Sequence, residues 1–235
     1  LVANDCILLK KNLVTASYVS DEIQKMSDTA KSYNLIFLNE VGLDPGIDHM
    51  SAMKIIDNLK QNGAEILSFK SYCGGLVHPE FDNNPWNYKF TWNPRNVVLA
   101  GKGTSKFLNE KKICELEYNN LFNETEIINI LDQGDFESYA NRDSLSYISS
   151  YGLEEIETMY RGTLRKVGFS SSWNSFIKLG MTNDTYSIED SENLSYYNFI
   201  DLLLPKSSKS LEERFCEFLS INIVSQEFKK FKWLD

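Results

Sequence analysis

Apolar and polar positions in the first quarter of the chain follow two different spacings. Residues 13–18 form a short apolar run with a polar tip and are predicted to be a buried strand. Residues 35–39 form a second apolar run and predict the next strand. Ser20 stands before two acidic residues and is predicted to cap a helix that reaches about residue 32. Residues 48–62 have apolar side chains at helical spacing. This strand–helix–strand–helix order is typical of one half of a doubly wound α/β domain.

The spacing changes near Gly63, where strand-like alternation begins. Residues 66–73 alternate between apolar and polar side chains and predict a strand. Shorter apolar runs predict further strands at 97–100, 113–117 and 159–166. Strands interleaved with loops and a few helices favour a mixed or antiparallel sheet that is covered by helices on one face.

The last part of the chain is predicted to be helical. A helix over residues 172–179 would end at Gly180, a suitable C-cap. Residues 181–194 are rich in Asp, Asn, Ser and Thr and predict a linker, and helical spacing returns from Tyr196. The predicted fold class is therefore α/β (α+β), with three segments: 1–62, 63–180 and 181–235.

Composition excludes several classes of protein. The formal net charge is −9, whereas a nucleic-acid-binding protein needs a basic face. No run approaches the roughly 20 apolar residues of a membrane span. The four cysteines lie far apart and only two histidines could join them, so we expect reduced thiols of an intracellular protein and no metal site. The cytoplasm is the expected location, with mitochondria as the alternative.

The most informative stretch is the polar loop between the second predicted strand and the next helix. It reads Asn-Glu-Val-Gly-Leu-Asp-Pro-Gly-Ile-Asp-His-Met over residues 39–50. Open α/β sheets place their ligand sites in such loops. Asp44 could transfer a proton or hold an ammonium group, but Asp-Pro-Gly is also a common turn sequence. The pattern alone leaves both interpretations open.

Further candidate residues lie at the ends of predicted strands. Ser17 and Tyr18 could hydrogen-bond a substrate carboxylate or amine, or they could simply cap a strand. Cys73 precedes two glycines, which allow a ligand to approach the backbone, and a small buried side chain is the alternative. His49 and His78 have no identifiable partner, and His49 is interpreted as a packing residue of its helix.

Several arginines could bind carboxylates. Arg142 lies in a polar stretch, and alternation places Arg161, Thr163 and Arg165 on one face of a strand. A guanidinium fork can bind a carboxylate through two hydrogen bonds, and a solvated charged face is the alternative.

Two other stretches have simpler interpretations. Residues 88–92 carry three alternating aromatic side chains. They predict a sheet segment with more apolar surface than a small domain buries easily, and hence a homodimer. Residues 101–105 imitate a phosphate-binding loop, but their spacing is wrong and no G-x-G-x-x-G occurs in the chain, so they are interpreted as a turn.

Six segments together resemble one family in collinear order over residues 1–180. The family is that of the saccharopine dehydrogenases that form glutamate (saccharopine reductases). The matching segments are Thr15-Ala16-Ser17-Tyr18, the loop at 39–50, Ser71-Tyr72-Cys73-Gly74-Gly75-Leu76, Tyr88-Lys89-Phe90-Thr91-Trp92-Asn93-Pro94-Arg95, Asn141-Arg142-Asp143-Ser144 and Arg161-Gly162-Thr163-Leu164-Arg165.

The resemblance implies an oxidoreductase of lysine metabolism. Such an enzyme interconverts saccharopine with L-glutamate and 2-aminoadipate 6-semialdehyde by hydride transfer at the C–N bond, with NADP as cofactor and NAD as the alternative. Residues 1–62 would be the end of a Rossmann-like cofactor-binding domain, 63–180 a substrate-binding and dimerisation domain, and 181–235 an incomplete helical inserted domain.

The resemblance further implies roles for individual residues. Proton transfer would involve Asp44, Tyr18 and Cys73. The cofactor would contact Ala16, Leu43, Asp44 and Pro45. The substrate would bind to Ser17, Tyr18, Asp44, Trp92, Arg142, Thr163, Leu164 and Arg165.

Two other functions stay open. The chain could belong to a related NADP-linked dehydrogenase that acts on another amino-acid conjugate, or to a catalytically silent binding module. The family's dinucleotide fingerprint lies upstream of residue 1, and the first residue is Leu rather than Met. We therefore interpret the chain as an internal part of a longer protein and expect it to be inactive alone.

Overall fold

A short parallel strand pair and four helices form the first segment. The computed structural model describes residues 2–99, 103–229 and 231. Ser20 caps the second helix as predicted, by accepting a hydrogen bond from Ile23 N, but the predicted single helix is broken at Met26. The elements are α1 Val2–Leu8, β1 Leu13–Val14, α2 Asp21–Lys25, α3 Ser27–Ser32, β2 Phe37–Leu38 and α4 Ile47–Gln61.

The prediction that the first strand is buried was wrong. β1 and β2 have only two residues each, and their side chains Val14 and Leu38 are 66% and 50% exposed. No second layer covers these two side chains in the part of the chain that the structure describes. The apolar run at the start of 13–18 therefore predicted a strand but overstated its burial.

A six-stranded mixed sheet with its helices forms the second segment, as predicted. Its strands follow the order β5-β4-β8-β7-β6, and β3 pairs in parallel with β8. The central strand β8 is buried on both faces. The elements are β3 Ser68–Cys73, a 3₁₀ turn Pro79–Phe81, α5 Pro94–Leu99, β4 Ser105–Asn109, β5 Lys112–Leu116, α6 Tyr118–Leu121, β6 Glu126–Ile130, β7 Gly134–Ala140, α7 Tyr147–Ser150, β8 Thr158–Lys166 and α8 Phe169–Lys178.

The strand predicted at 97–100 was wrong. Residues 97–99 belong to α5, which begins at Pro94, and the fixed φ of proline suits the first turn of a helix. Residue 100 lies outside the described residues. So do residues 101 and 102 of the predicted turn, and Ser105 already begins β4.

The sheet segment predicted at 88–92 was also wrong, because these residues form no strand. The Tyr88 ring packs against the Phe169 ring of α8, with 5.0 Å between the ring centroids. The Phe90 ring lies next to the Trp173 ring, with 6.5 Å between the centroids. Tyr88 thus packs on a helix, whereas Phe90 and Trp92 stay 48% and 54% exposed. The homodimer stays a prediction.

An apolar cluster fixes α4 on the sheet. Ala52 and Ile56 of α4 are buried together with Met159 of β8 and with Leu153 and Ile156, which precede that strand. This packing holds the N-terminus of α4, and with it the polar loop, next to β8.

The tail is helical, as predicted. A core around Ile200, Leu211 and Phe215 joins its helices. Among the described residues, none of the helices combines the length and the apolar character that crossing a membrane requires. The three segment boundaries stay a prediction. The tail elements are a 3₁₀ turn Ser191–Asn193, α9 Tyr196–Leu203, α10 Leu211–Leu219 and α11 Gln226–Lys229.

Candidate active site

The loop between β2 and α4 closes on itself through its backbone. Gly42 N donates to Pro45 O at 2.9 Å, and Ile47 N donates to Gly42 O at 2.9 Å. Gly46 has φ +148°, and a Cβ atom there would lie only 2.1 Å from Gly42 O. Only glycine tolerates this approach. The closed loop presents Asp44 towards the sheet.

The Asp44 carboxylate accepts hydrogen bonds from three different parts of the chain. Its Oδ1 accepts from Arg161 Nη2 at 2.6 Å and from Tyr18 Oη at 2.7 Å, and its Oδ2 accepts from Asn141 Nδ2 at 3.1 Å. The donors come from β8, from the chain after β1 and from the end of β7. Asp44 therefore organises a cluster of side chains and does more than form a turn.

A second carboxylate, that of Asp48, shares the same arginine. Arg161 Nη2 lies 2.9 Å from Asp48 Oδ2, while Asp48 Oδ1 accepts a hydrogen bond from Gly46 N at 2.7 Å. The Arg161 guanidinium also lies over the Tyr147 ring, 4.4 Å from its centroid. The sequence analysis listed Arg161 among the arginines that could bind carboxylates, but it did not predict that these carboxylates belong to the protein. It gave no role to Asp48, Asn141 or Tyr147.

His49 has partners that the sequence did not reveal. Its Nδ1 lies 2.6 Å from Tyr151 Oη, and its Nε2 lies 3.2 Å from Glu40 Oε2. Its ring stacks on the Tyr147 ring, with 4.8 Å between the ring centroids. His49 therefore packs, as predicted, but within a polar cluster behind Asp48. His78 has a local partner and caps the 3₁₀ turn by accepting from Glu80 N.

Tyr18 is a hydrogen-bond donor in this cluster. Burial and the hydrogen bond to the Asp44 carboxylate raise the pKa of Tyr18. The phenol consequently keeps its proton at neutral pH, and Asp44 fixes the direction in which the hydroxyl points.

Cys73 ends β3 directly opposite Thr163 in the parallel register with β8. Its side chain is half-buried. Burial raises the pKa of the Cys73 thiol, and the negative charges of Asp44 and Asp48 raise it further. Cys73 is therefore a neutral thiol at neutral pH rather than a thiolate.

This protonation state predicts slow alkylation of Cys73. The thiolate is the reactive form, so we expect iodoacetamide at about pH 8 to modify Cys73 more slowly than free cysteine. The rate should keep rising towards about pH 10, where more of the thiol ionises. Peptide mass spectrometry after timed quenching measures this rate, and a rate already constant at pH 8 would contradict the raised pKa.

Two further arginines lack a carboxylate partner among the described residues. Arg142 is exposed, and its guanidinium lies 5.5 Å from the centre of the Tyr18 ring. Arg165 is buried with its guanidinium 4.9 Å from the Tyr88 ring and 5.3 Å from the Phe169 ring. Its Nη1 donates to the carbonyl of the preceding residue at 2.9 Å, and its Nε has no acceptor.

The remaining predicted substrate residues are not all gathered at this cluster. Ser17 is exposed just after β1, and Thr163 is half-buried between Arg161 and Arg165. The Leu164 side chain is buried, on the opposite strand face from these three residues. Trp92 is exposed in the chain before α5.

The predicted cofactor residues differ in exposure. Ala16, just after β1, and Leu43, within the loop, are both exposed. A Cβ atom added to Gly42 of the loop would lie 2.9 Å from the Ala16 Cβ. The end of β1 and the loop are thus in close contact. Pro45 is buried, so its ring offers no open surface to a ligand. No cluster of metal-binding side chains occurs among the residues that the structure describes.

Comparison with known proteins identifies the family. A model of the family described as "Saccharopine dehydrogenase C-terminal domain" matches residues 42–228. The chain belongs to this family. The similarity also extends to a solved structure, apo histidine-tagged saccharopine dehydrogenase (L-Glu forming) from Saccharomyces cerevisiae. That structure has a TM-score of 0.79 and 31% identity, over 99% of this chain and 52% of that chain.

Curated relatives carry related names. An alpha-aminoadipic semialdehyde synthase of Arabidopsis thaliana is 45% identical over 183 residues, which are 77% of this chain and 17% of the relative. The saccharopine dehydrogenase [NADP(+), L-glutamate-forming] of Saccharomyces cerevisiae is 34% identical over 212 residues, which are 90% of this chain and 48% of the relative. The chain therefore spans half or less of the length of these proteins.

Proposed function

We propose that this chain is part of an NADP-linked oxidoreductase of lysine metabolism. The reaction is the interconversion of saccharopine with L-glutamate and 2-aminoadipate 6-semialdehyde, by hydride transfer at the C–N bond. Family membership and the names of the relatives support this proposal. Its location, in the cytoplasm or in mitochondria, stays a prediction.

The observation that carries the proposal is the contrast between paired and unpaired arginines. Arg161 is neutralised by carboxylates of the protein, whereas Arg142 and Arg165 have no carboxylate partner among the described residues. Saccharopine carries three carboxylates, and unpaired guanidinium groups bind such groups strongly. Arg142 and Arg165 therefore suit the substrate, with the Thr163 hydroxyl between Arg161 and Arg165 on the same strand face.

The residues near Asp44 suit the nicotinamide end of the cofactor. Ala16 and Leu43 offer exposed apolar surface to a flat ring, whereas Pro45 could take part only through the loop backbone. NADP, when bound, supplies the hydride acceptor. NADP is preferred to NAD because the yeast relative carries NADP(+) in its name.

The protein groups around Asp44 would orient the substrate and supply protons. Cys73 is a neutral thiol at neutral pH, so it can donate a hydrogen bond or a proton to the substrate nitrogen. The single hydroxyl proton of Tyr18 is donated to Asp44, so Tyr18 could pass a proton to the substrate only after that hydrogen bond breaks. The proton-transfer residue is therefore sought first at Cys73 and second at Tyr18.

Steady-state kinetics of the complete protein tests the proposal. We expect turnover of saccharopine with NADP, and little turnover of shorter secondary amines that lack its three carboxylates. Turnover of another amino-acid conjugate in preference to saccharopine would favour a related dehydrogenase. No turnover of any conjugate would favour a silent binding module.

Arg142 provides a sharper test of the substrate site. Arg142→Ala in the complete protein should raise the KM for saccharopine by roughly 10- to 100-fold, because a hydrogen bond to a charged group contributes about 1.5–3 kcal/mol. Arg142→Lys should recover little, since an ammonium cannot reproduce the fork. Arg95→Ala removes an exposed arginine that pairs with Asp184 and is the control. Equal KM values in all these proteins would exclude Arg142 from the site.

A further inference from the structure

One nitrogen atom of Arg161 serves two carboxylates at once. Arg161 Nη2 lies 2.6 Å from Asp44 Oδ1 and 2.9 Å from Asp48 Oδ2. The three side chains are only 3%, 16% and 8% exposed, in the order Arg161, Asp44 and Asp48. Buried carboxylates this close to each other require a shared cation.

The bridge fixes the second half of the loop that carries Asp44. Arg161 binds Asp44 itself. It also binds Asp48, in the first turn of α4, whose Oδ1 accepts a hydrogen bond from Gly46 N at 2.7 Å. Contact with the Tyr147 ring restrains the guanidinium plane, and Tyr147 in turn stacks on His49. Arg161 thus ties the loop to the central strand of the sheet.

We propose that Arg161 is a positioning residue for the reaction and that Asp48 is its second counter-ion. The proposal rests on the proposed function. The Arg161 guanidinium already binds two carboxylates of the protein, so it is less able to bind a substrate carboxylate than Arg142 and Arg165, which have no carboxylate partner among the described residues. Arg161 acts through Asp44, which it holds in the place where the carboxylate accepts the Tyr18 hydroxyl.

This arrangement makes a prediction that a substrate-binding arginine would not make. Removing the Arg161 charge leaves two buried carboxylates without their shared cation, which is strongly unfavourable. Neutralising Asp48 in the same protein relieves that repulsion and lets Asp44 keep its contacts with Tyr18 and Asn141. A second substitution should therefore repair part of the damage caused by the first.

The experiment compares five forms of the complete protein in saccharopine oxidation: the parent, Arg161→Gln, Asp48→Asn, the Arg161→Gln/Asp48→Asn double variant and the Arg161→Gln/Asp57→Asn double variant. Arg161→Gln should lower kcat by roughly 10- to 100-fold, the loss expected for a charge-assisted hydrogen bond, with a nearly constant KM. Adding Asp48→Asn should raise kcat at least about fivefold above that of Arg161→Gln alone. Asp57 is exposed on α4, so its substitution should give no recovery.

Two results would overturn the proposal. A higher KM for saccharopine with an unchanged kcat in Arg161→Gln would make Arg161 a substrate-binding residue. Equal kcat values for Arg161→Gln and its Asp48→Asn double variant would show that the carboxylates do not share the cation. If Arg161→Gln does not fold, the two double variants still test the bridge. Folding of the Asp48→Asn double variant but not of the Asp57→Asn double variant would support the shared cation, and failure of both to fold would contradict it.

Failure of the proposed function would be recognised separately. In that case the parent protein would not oxidise saccharopine. The melting temperatures of the same five proteins would still test the bridge. Asp48→Asn, but not Asp57→Asn, should raise the melting temperature of Arg161→Gln, and the lack of any such difference would contradict the shared cation.

Discussion

Replacing Gly46 by alanine is expected to lower the free energy of unfolding by about 3 kcal/mol or more, since backbone strain and overpacking each cost about 1–3 kcal/mol. Gly46 has φ +148°, and the added Cβ would lie 2.1 Å from Gly42 O and 2.5 Å from Gly42 N. These are backbone atoms of the same closed loop, so they cannot rotate away. The loop would have to open, and Asp44 would separate from Arg161.

A matched control isolates the steric part of this effect. Gly63 follows α4 and has φ +76°, but an added Cβ there would meet nothing within 4 Å. Gly63→Ala should therefore cost only the conformational penalty of about 1–2 kcal/mol. Denaturant unfolding of the two variants and the parent measures both values. Equal destabilisation by the two substitutions would contradict the tight packing of the loop.

Replacing Asp44 by asparagine in the complete protein is expected to lower kcat for saccharopine by roughly 100- to 1,000-fold, because at least two hydrogen bonds to a charged group, each contributing about 1.5–3 kcal/mol, are lost or weakened. Both Asp44 oxygens accept hydrogen bonds, from Arg161 and Tyr18 on one side and from Asn141 on the other. An amide must turn its NH₂ group towards one of these donors. The substitution therefore removes the negative charge, and it also places the amide NH₂ group, a hydrogen-bond donor, against another donor.

Tyr18→Phe serves as the comparison for this variant. It removes one donor and leaves the contacts of Asp44 with Arg161 and Asn141 in place. We expect a smaller loss in kcat, of roughly tenfold, from one hydrogen bond to a charged group. Steady-state kinetics on folded variants measures both effects. A kcat for Asp44→Asn equal to that of the parent would remove Asp44 from the proposed mechanism.

Much of the fold could be predicted wherever one spacing persists over a long segment. The helical spacing over 48–62 predicted α4, and the runs at 66–73 and 159–166 predicted β3 and β8. Prediction failed where a short apolar run suits two structures, as at 97–99, which is helical. The strands β4, β6 and β7 were missed because their short runs do not alternate cleanly.

The site was predicted in its parts but not in its connections. The sequence pointed to Asp44, and the family resemblance pointed to Tyr18, Cys73 and Arg142, whose side chains lie around or beside the Asp44 cluster in the structure. The sequence could not show that Arg161 bridges to Asp48, 113 residues away, or that His49 contacts Tyr151, 102 residues away. No local spacing encodes a contact between residues so far apart.

These long separations have a consequence for how the protein acquires its site. Asp44 is joined to Arg161 across 117 residues and to Asn141 across 97 residues. Contacts between residues so far apart are made at a cost in loop-closure entropy of the intervening chain. A chain in which β8 has not joined the sheet lacks the Arg161 bridge, even where Asp44 already meets Tyr18, 26 residues away. The complete carboxylate cluster is therefore a property of the completed fold.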